Sequence, residues 1–104
     1  MLDDFVEHAL AVVGRHWAHQ IEALGVDAAR EKVRRAVLEG YGFGFTRRRD
    51  AMRFVNLVFA LGDDMVGAHP WVRRLVENRQ LPPDVRIELL SEHAEDYLAG
   101  YEVE

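Results

Sequence analysis

Apolar side chains recur at helical spacing from Val6 through Leu10, Val13, Trp17 and Ile21 to Leu24, with Ala9 and Val12 beside them. A period near 3.6 predicts one amphipathic helix from Asp3 or Asp4 to Leu24. Either aspartate is placed to cap it, and Gly25 is placed to stop it. A thinner stripe of Ala29, Val33, Ala36 and Val37 predicts a second, peripheral helix, capped by Asp27 and ended by Gly40, with a wet basic side of Arg30, Lys32, Arg34 and Arg35. Tyr41-Gly42-Phe43-Gly44-Phe45 reads as the turn that follows. The third helix takes Thr46 as its cap and runs to Leu61 before Gly62. From Ala51 onward it has almost no polar residue except Asn56, and a helix apolar all round is a buried one. Only Arg47, Arg48, Arg49, Asp50 and Arg53 look solvated.

Asp63 to Ala68 reads as a loop, and Pro70 suits the first position of a short fourth helix with Trp71, Val72, Leu75 and Val76 inward. Pro82-Pro83 opens a fifth helix whose stripe is Val85, Leu89, Leu90, His93, Ala94, Tyr97 and Leu98, ending at Gly100. No stretch alternates with period two. The pattern predicts an all-α fold: a compact bundle of about five helices around a central apolar helix (about 47–61). One domain spans 1–104, with an acidic frayed tail at about 101–104.

Composition narrows the class. At 104 residues there is room for one domain, and 49% hydrophobic with 30% charged residues suits a packed core inside a solvated surface. The absence of cysteine excludes disulfides, thiolate zinc sites and a cysteine nucleophile, and fits a reducing cytoplasm. Met1-Leu2-Asp3-Asp4 is acidic where a secretory signal is basic. The longest apolar run, Leu57 to Leu61, is far short of the roughly 20 residues that a membrane span needs. Net charge is −5, which opposes generic nucleic-acid binding. Residues 30–53 nevertheless carry eight basic groups against three acidic ones, so this segment is +5 and the remainder −10. Asp84, Glu88, Glu92, Glu95, Asp96, Glu102 and Glu104 face a single Arg86 in the last stretch.

Candidate chemistry is sparse. His16 and His19 lie three apart and could share a helix face toward a metal, with His8 and Glu22 nearby. No HExxH and no cysteine completes a set, so no metal or cofactor is expected. His69 could cap the fourth helix, and His93 falls on an apolar stripe. Ser91, the one serine, has no nucleophile elbow around it. Asp3/Asp4 and Asp63/Asp64 sit at helix ends or in a turn, where carboxylates are solvated or capping, and no enzymatic role is expected. Asn56 is either a structural hydrogen-bonding residue or a polar anchor for a bound segment. Arg47, Arg48, Arg49 and Arg53 form the strongest surface feature. They suit an acidic partner protein, or phosphate in the alternative of a small nucleic-acid-binding regulator, or neutralisation by an acidic fifth helix lying alongside. Tyr41, Phe43, Phe45 and Trp71 either plug the bundle or leave an exposed patch for a partner.

The order of these pieces carries a resemblance. Val33 to Leu38 leads to Tyr41-Gly42, then Arg49-Asp50, then Arg53-Phe54-Val55-Asn56-Leu57-Val58-Phe59-Ala60-Leu61-Gly62-Asp63-Asp64. Pro70-Trp71, Leu75, Leu81, Arg86, Leu89-Leu90 and Tyr97-Leu98 follow. Over nearly its whole length the chain resembles short helical proteins encoded beside type VI secretion genes in proteobacteria. It departs from their pattern at Met65-Val66 and at Phe43-Gly44-Phe45. The resemblance implies a cytoplasmic accessory role, as chaperone, adaptor or immunity-like protein, toward another protein such as a secreted effector or spike component. It brings no catalytic residues, and self-association remains compatible with it. The residues expected to meet a partner are Arg47, Arg48, Arg49, Arg53, Tyr41, Phe43, Phe45 and Trp71.

Overall fold

The helix with the longest apolar run is the one around which the others assemble. The computed structural model describes residues 2–100, so the tail expected at 101–104 lies outside the described residues. Among them are α1 (Leu2–His16), α2 (Ala18–Leu24), α3 (Val26–Gly42), α4 (Arg48–Leu61), α5 (Met65–Ala68), α6 (Pro70–Glu77) and α7 (Pro83–Leu98), with no strand. The all-α class agrees with the periodicities, and the helix count is seven rather than about five. α4 packs against α1, α3 and α7. It buries Ala51, Phe54, Val55, Leu57, Val58 and Phe59. The molecule measures 35 × 31 × 20 Å. Its short dimension is about two helix diameters, which leaves one face of α4 uncovered. Asn56 lies on that face and is exposed, and Met52, Ala60 and Leu61 are half-buried, so α4 is not buried all round.

The expected single first helix is two. Trp17 leaves helical geometry (φ −122°, ψ 38°), yet its N–H still reaches Val13 O at 2.7 Å and its carbonyl still accepts from Ile21 N–H at 3.0 Å. The result is a kink with the ladder kept. Two side chains fix it from outside the helix: Trp17 Nε1 donates to Asn56 Oδ1 (2.8 Å) and Gln20 Nε2 donates to Phe59 O (2.8 Å). Asp3 and Asp4 stand inside the first turn of α1, where the helix dipole favours them.

α3 starts one residue before Asp27, with Gly25 (φ 87°) at the cap position and the Asp27 carboxylate bound instead to Arg30 at 3.1 Å. The helix is not peripheral. Ala29, Val33, Ala36, Val37 and Gly40 are all buried, and α3 packs on α1, α2 and α4. Its basic side is partly matched by carboxylates: Arg30 meets Glu7 (2.6 Å), Arg34 meets Asp3, and Lys32 meets Asp63 (3.3 Å). The Arg30 and Arg34 pairs lie at the surface, where an ion pair contributes about 0–1 kcal/mol, and the Lys32 side chain is more buried.

Gly40 does not end α3, which continues through Gly42. A Cβ at Gly40 would stand 3.0 Å from Phe54 Cδ2, so glycine is what lets α3 and α4 approach. The chain reverses at Gly44 (φ 98°), where an added Cβ would also lie 3.2 Å from Arg86 Nη2. Gly44→Ala is therefore expected to lose about 1–2 kcal/mol from left-handed strain alone, read as a lower urea midpoint with an unchanged slope. Thr46 is not the cap of α4. The helix begins at Arg48, and Arg47 holds the cap position in extended geometry with no side-chain cap bond.

Two arginines from the α6–α7 region close this turn. Arg86 is 2% exposed. It donates Nε to Leu81 O (3.0 Å) and Nη1 to both Phe43 O (2.8 Å) and Val76 O (2.9 Å). Arg79 donates to Phe43 O (2.9 Å) and Gly42 O (3.0 Å). The Gly42 and Phe43 carbonyls lie at the C-terminal end of α3 and Val76 O in the last turn of α6, where cations are favoured. Burial, and then the charge of Arg79, lower the Arg86 pKa from its usual value.

The expected loop after Asp64 contains a helical turn, α5, because Met65 is driven fully into the core. Pro70 opens α6 as expected. His69 caps nothing by its side chain, and its ring packs on Trp71 (5.9 Å) and Tyr97 (4.9 Å). α7 is rotated from its expected phase: Arg86, Ile87, Leu90 and Ala94 are buried, while Val85, Tyr97 and Leu98 are exposed.

Candidate functional site: a groove over the fourth helix

α1 and α7 both lean on α4 without packing closely on one another. Between them is a cavity of about 550 Å³ lined by Val12, His16, Trp17, Arg49, Met52, Arg53, Asn56, Ser91 and Glu95. Its size suits a ligand or a short peptide segment. The α4 contribution follows from helical spacing: Arg49, Met52, Arg53 and Asn56 are i, i+3, i+4 and i+7, one face two turns long. Val12, Met52 and the Trp17 ring make the apolar part. Arg49, His16 and Glu95 bring titratable groups.

Polar partners in the groove are mostly committed to the fold. Asn56 accepts from Trp17, and Ser91 Oγ donates to Ile87 O of its own helix (2.9 Å). Asn56→Leu removes the indole bond at an exposed position. It is expected to lower stability by about 0.5–1.5 kcal/mol and to alter Trp17 fluorescence while the fold persists. An unchanged emission spectrum would show that the bond does not set the indole's surroundings.

The expected basic cluster divides. The Arg48 guanidinium lies over the Phe5 ring at 5.4 Å. Arg53 pairs with Glu88 at 2.8 Å, so α7 neutralises one member. Arg47 and Arg49 make no ion pair among the described residues. They line a second cavity of about 390 Å³ with Asp50, Arg53, Asp84, Val85, Glu88 and Leu89. Arg49 and Arg53 border both cavities, so the two meet there.

The aromatic set separates from the arginines. Phe45 and Trp71 are core residues, 0% and 4% exposed, which corrects their expected place on a partner surface. Phe45 and the half-buried Phe43 flank Phe54, with ring centroids at 5.4 and 6.1 Å. Trp71 packs among His69, His93 and Tyr97. Tyr41 is exposed on α3, away from the groove. The groove instead uses Val12, His16, Trp17, Met52, Ser91 and Glu95, none of which the sequence reading assigned to a partner surface. The spacing of Met52 and Asn56 with Arg49 was the available signal. His16 reaches the groove and His19 does not, and among the described residues no three His, Asp or Glu side chains converge on a point that could hold a metal. No helix of the described residues is long and apolar enough to cross a membrane.

No protein-family model matches the chain, and no curated protein and no solved structure matches it either.

Proposed function

We propose that this chain is a non-enzymatic protein-binding module that holds an apolar, acidic segment of a partner in the groove over α4. The observation that carries the reading is the uncovered α4 face between α1 and α7, where an apolar floor of Val12, Met52 and Trp17 lies beside Arg49, which makes no ion pair among the described residues. Burying an apolar side chain on that floor supplies about 25 cal/mol per Å² removed from water. A carboxylate meeting Arg49 fixes register and excludes wrong partners. The face from Arg49 to Asn56 rises about 10 Å, room for two turns of a helical segment. The accessory role implied by the resemblance to proteins encoded beside type VI secretion genes, as chaperone, adaptor or immunity-like protein, is part of this proposal. Asp84, Glu88 and Glu95 stand among the same arginines, which weighs against a nucleic-acid surface, because they lower the net positive charge that phosphates would meet.

The test is selection of peptides from a displayed random library against the full chain. Selected peptides are expected to join Asp or Glu to Leu, Phe or Trp and to shift the backbone amide resonances of Met52, Asn56 and Ser91. Arg49→Glu is expected to weaken them by about tenfold or more. Peptides that bind elsewhere, or that ignore Arg49→Glu, would overturn the reading. Co-expression with the products of adjacent genes tests the accessory role, and any retained product should be lost with Arg49→Glu.

A further inference from the structure

The core side of α3 is filled, and its opposite side carries a pattern of its own. Ala28, Glu31, Arg35, Leu38 and Gly42 are all exposed. Steps of three and four residues set them in one stripe along the helix, the spacing of a coiled-coil seam. The stripe is about 21 Å long. Leu38 is 49% exposed, and Tyr41 at the edge of the stripe is 37% exposed. Glu31 and Arg35 stand one turn apart, yet neither makes an ion pair or hydrogen bond among the described residues. The cations on either flank are taken within the chain, Lys32 by Asp63 and Arg34 by Asp3.

We propose that this stripe pairs with the same stripe of a second copy, the two α3 helices running antiparallel about a two-fold axis at the level of Val33. Self-complementarity is the argument. Reversal about Val33 brings Glu31 of one copy to Arg35 of the other, and the symmetry repeats the pair. It also brings Leu38 to Ala28, a large apolar side chain to a small one, at both ends of the contact. Gly42 keeps the last turn flat, with open space around an added Cβ. A parallel pair would instead set Glu31 on Glu31 and Arg35 on Arg35. A two-fold contact requires a surface that complements itself, which an unrelated partner does not. Covering Leu38 supplies the apolar gain, and the two reciprocal ion pairs fix register and direction. One helix pair is at the small end of specific interfaces, so the dimer is weak. The contact is independent of the groove, which no α3 residue lines, and the dimer carries two grooves.

Sedimentation equilibrium of the full chain from about 10 µM to about 1 mM tests this. A reversible monomer–dimer equilibrium is expected. Glu31→Arg and Arg35→Glu each set like charges opposite one another, and each is expected to weaken the dimer about tenfold or more. Circular dichroism should show both folded, since both positions are exposed. Mixing the two variants is expected to restore dimers, because in the mixed pair positions 31 and 35 again meet opposite charges. Leu38→Glu is expected to abolish association. The chain has no cysteine, so Ala28→Cys and Leu38→Cys supply single thiols that report direction. Under air oxidation the mixed chains are expected to join by a disulfide, and neither chain to join itself. A chain that stays monomeric at about 1 mM, or a dimer that ignores the charge reversals, would overturn the proposal. So would mixed charge variants that fail to associate, or single-cysteine chains that link to themselves.

Discussion

Arg86→Leu should remove about 2–6 kcal/mol of folding stability, because two carbonyls lose their side-chain donor. The leucine fills part of the space and donates nothing. Leu81 O and Val76 O lose the side-chain donor they now have, and Phe43 O keeps Arg79. Each buried carbonyl left without a donor costs about 1–3 kcal/mol. The Arg86 guanidinium also lies over the Phe45 ring at 5.1 Å, so the core beneath the turn loses a contact as well. Arg86→Lys keeps the charge and loses the planar fork that reaches three carbonyls, so it should recover less than half of the loss. Urea unfolding of the three proteins measures this. A domain of this size has about 5–15 kcal/mol in total, so Arg86→Leu should unfold at far lower urea. A loss below about 1 kcal/mol would show that the carbonyls find other donors, and the clamp would be incidental.

The second large effect is expected at Phe54. Its ring is 0% exposed, lies between Phe43 and Phe45, and touches the face of α3 that Gly40 leaves open. Phe54→Ala should cost about 3–5 kcal/mol, the transfer term of the lost ring plus a cavity that two rigid rings and a helix backbone cannot collapse into. The double variant with Phe45→Ala should lose less than the sum of the two singles, because both empty the same space. Thermal melts give the readout: each kcal/mol lowers Tm by about 4–8 °C in a domain near this size. Additive losses would mean that Phe45 and Phe54 stabilise the α3–α4 corner independently.

Much of the architecture was legible in residue spacing. The repeat Val6, Ala9, Val13 and the run from Ala51 to Phe59 mark helices, because a 3.6 period brings those side chains to one face, and the latter run is the centre of the fold. The errors were of phase and position. In α7, aliphatic residues stand at 85 and 89 and also at 87, 90 and 94, so two faces qualify by period. Arg86 settles which turns inward, because its guanidinium finds carbonyls on α6 and the α3–α4 turn, residues far off in sequence. Asn56 was expected to be buried because its neighbours are apolar. It is exposed because no helix covers that side of α4.

The sequence by itself determined the all-α class, the central place of the helix after Thr46, and the crowding of arginines at its start. These are local properties, written in spacing and charge. Only the tertiary structure decided that Phe45 and Trp71 belong to the core, that Arg53 is taken by Glu88, and that Asp50 is buried with its Oδ2 unpartnered among the described residues. The groove is of this second kind. It joins Val12 to Trp17, Arg49 to Asn56 and Ser91 to Glu95, three stretches that meet only when α1 and α7 settle on opposite flanks of one helix.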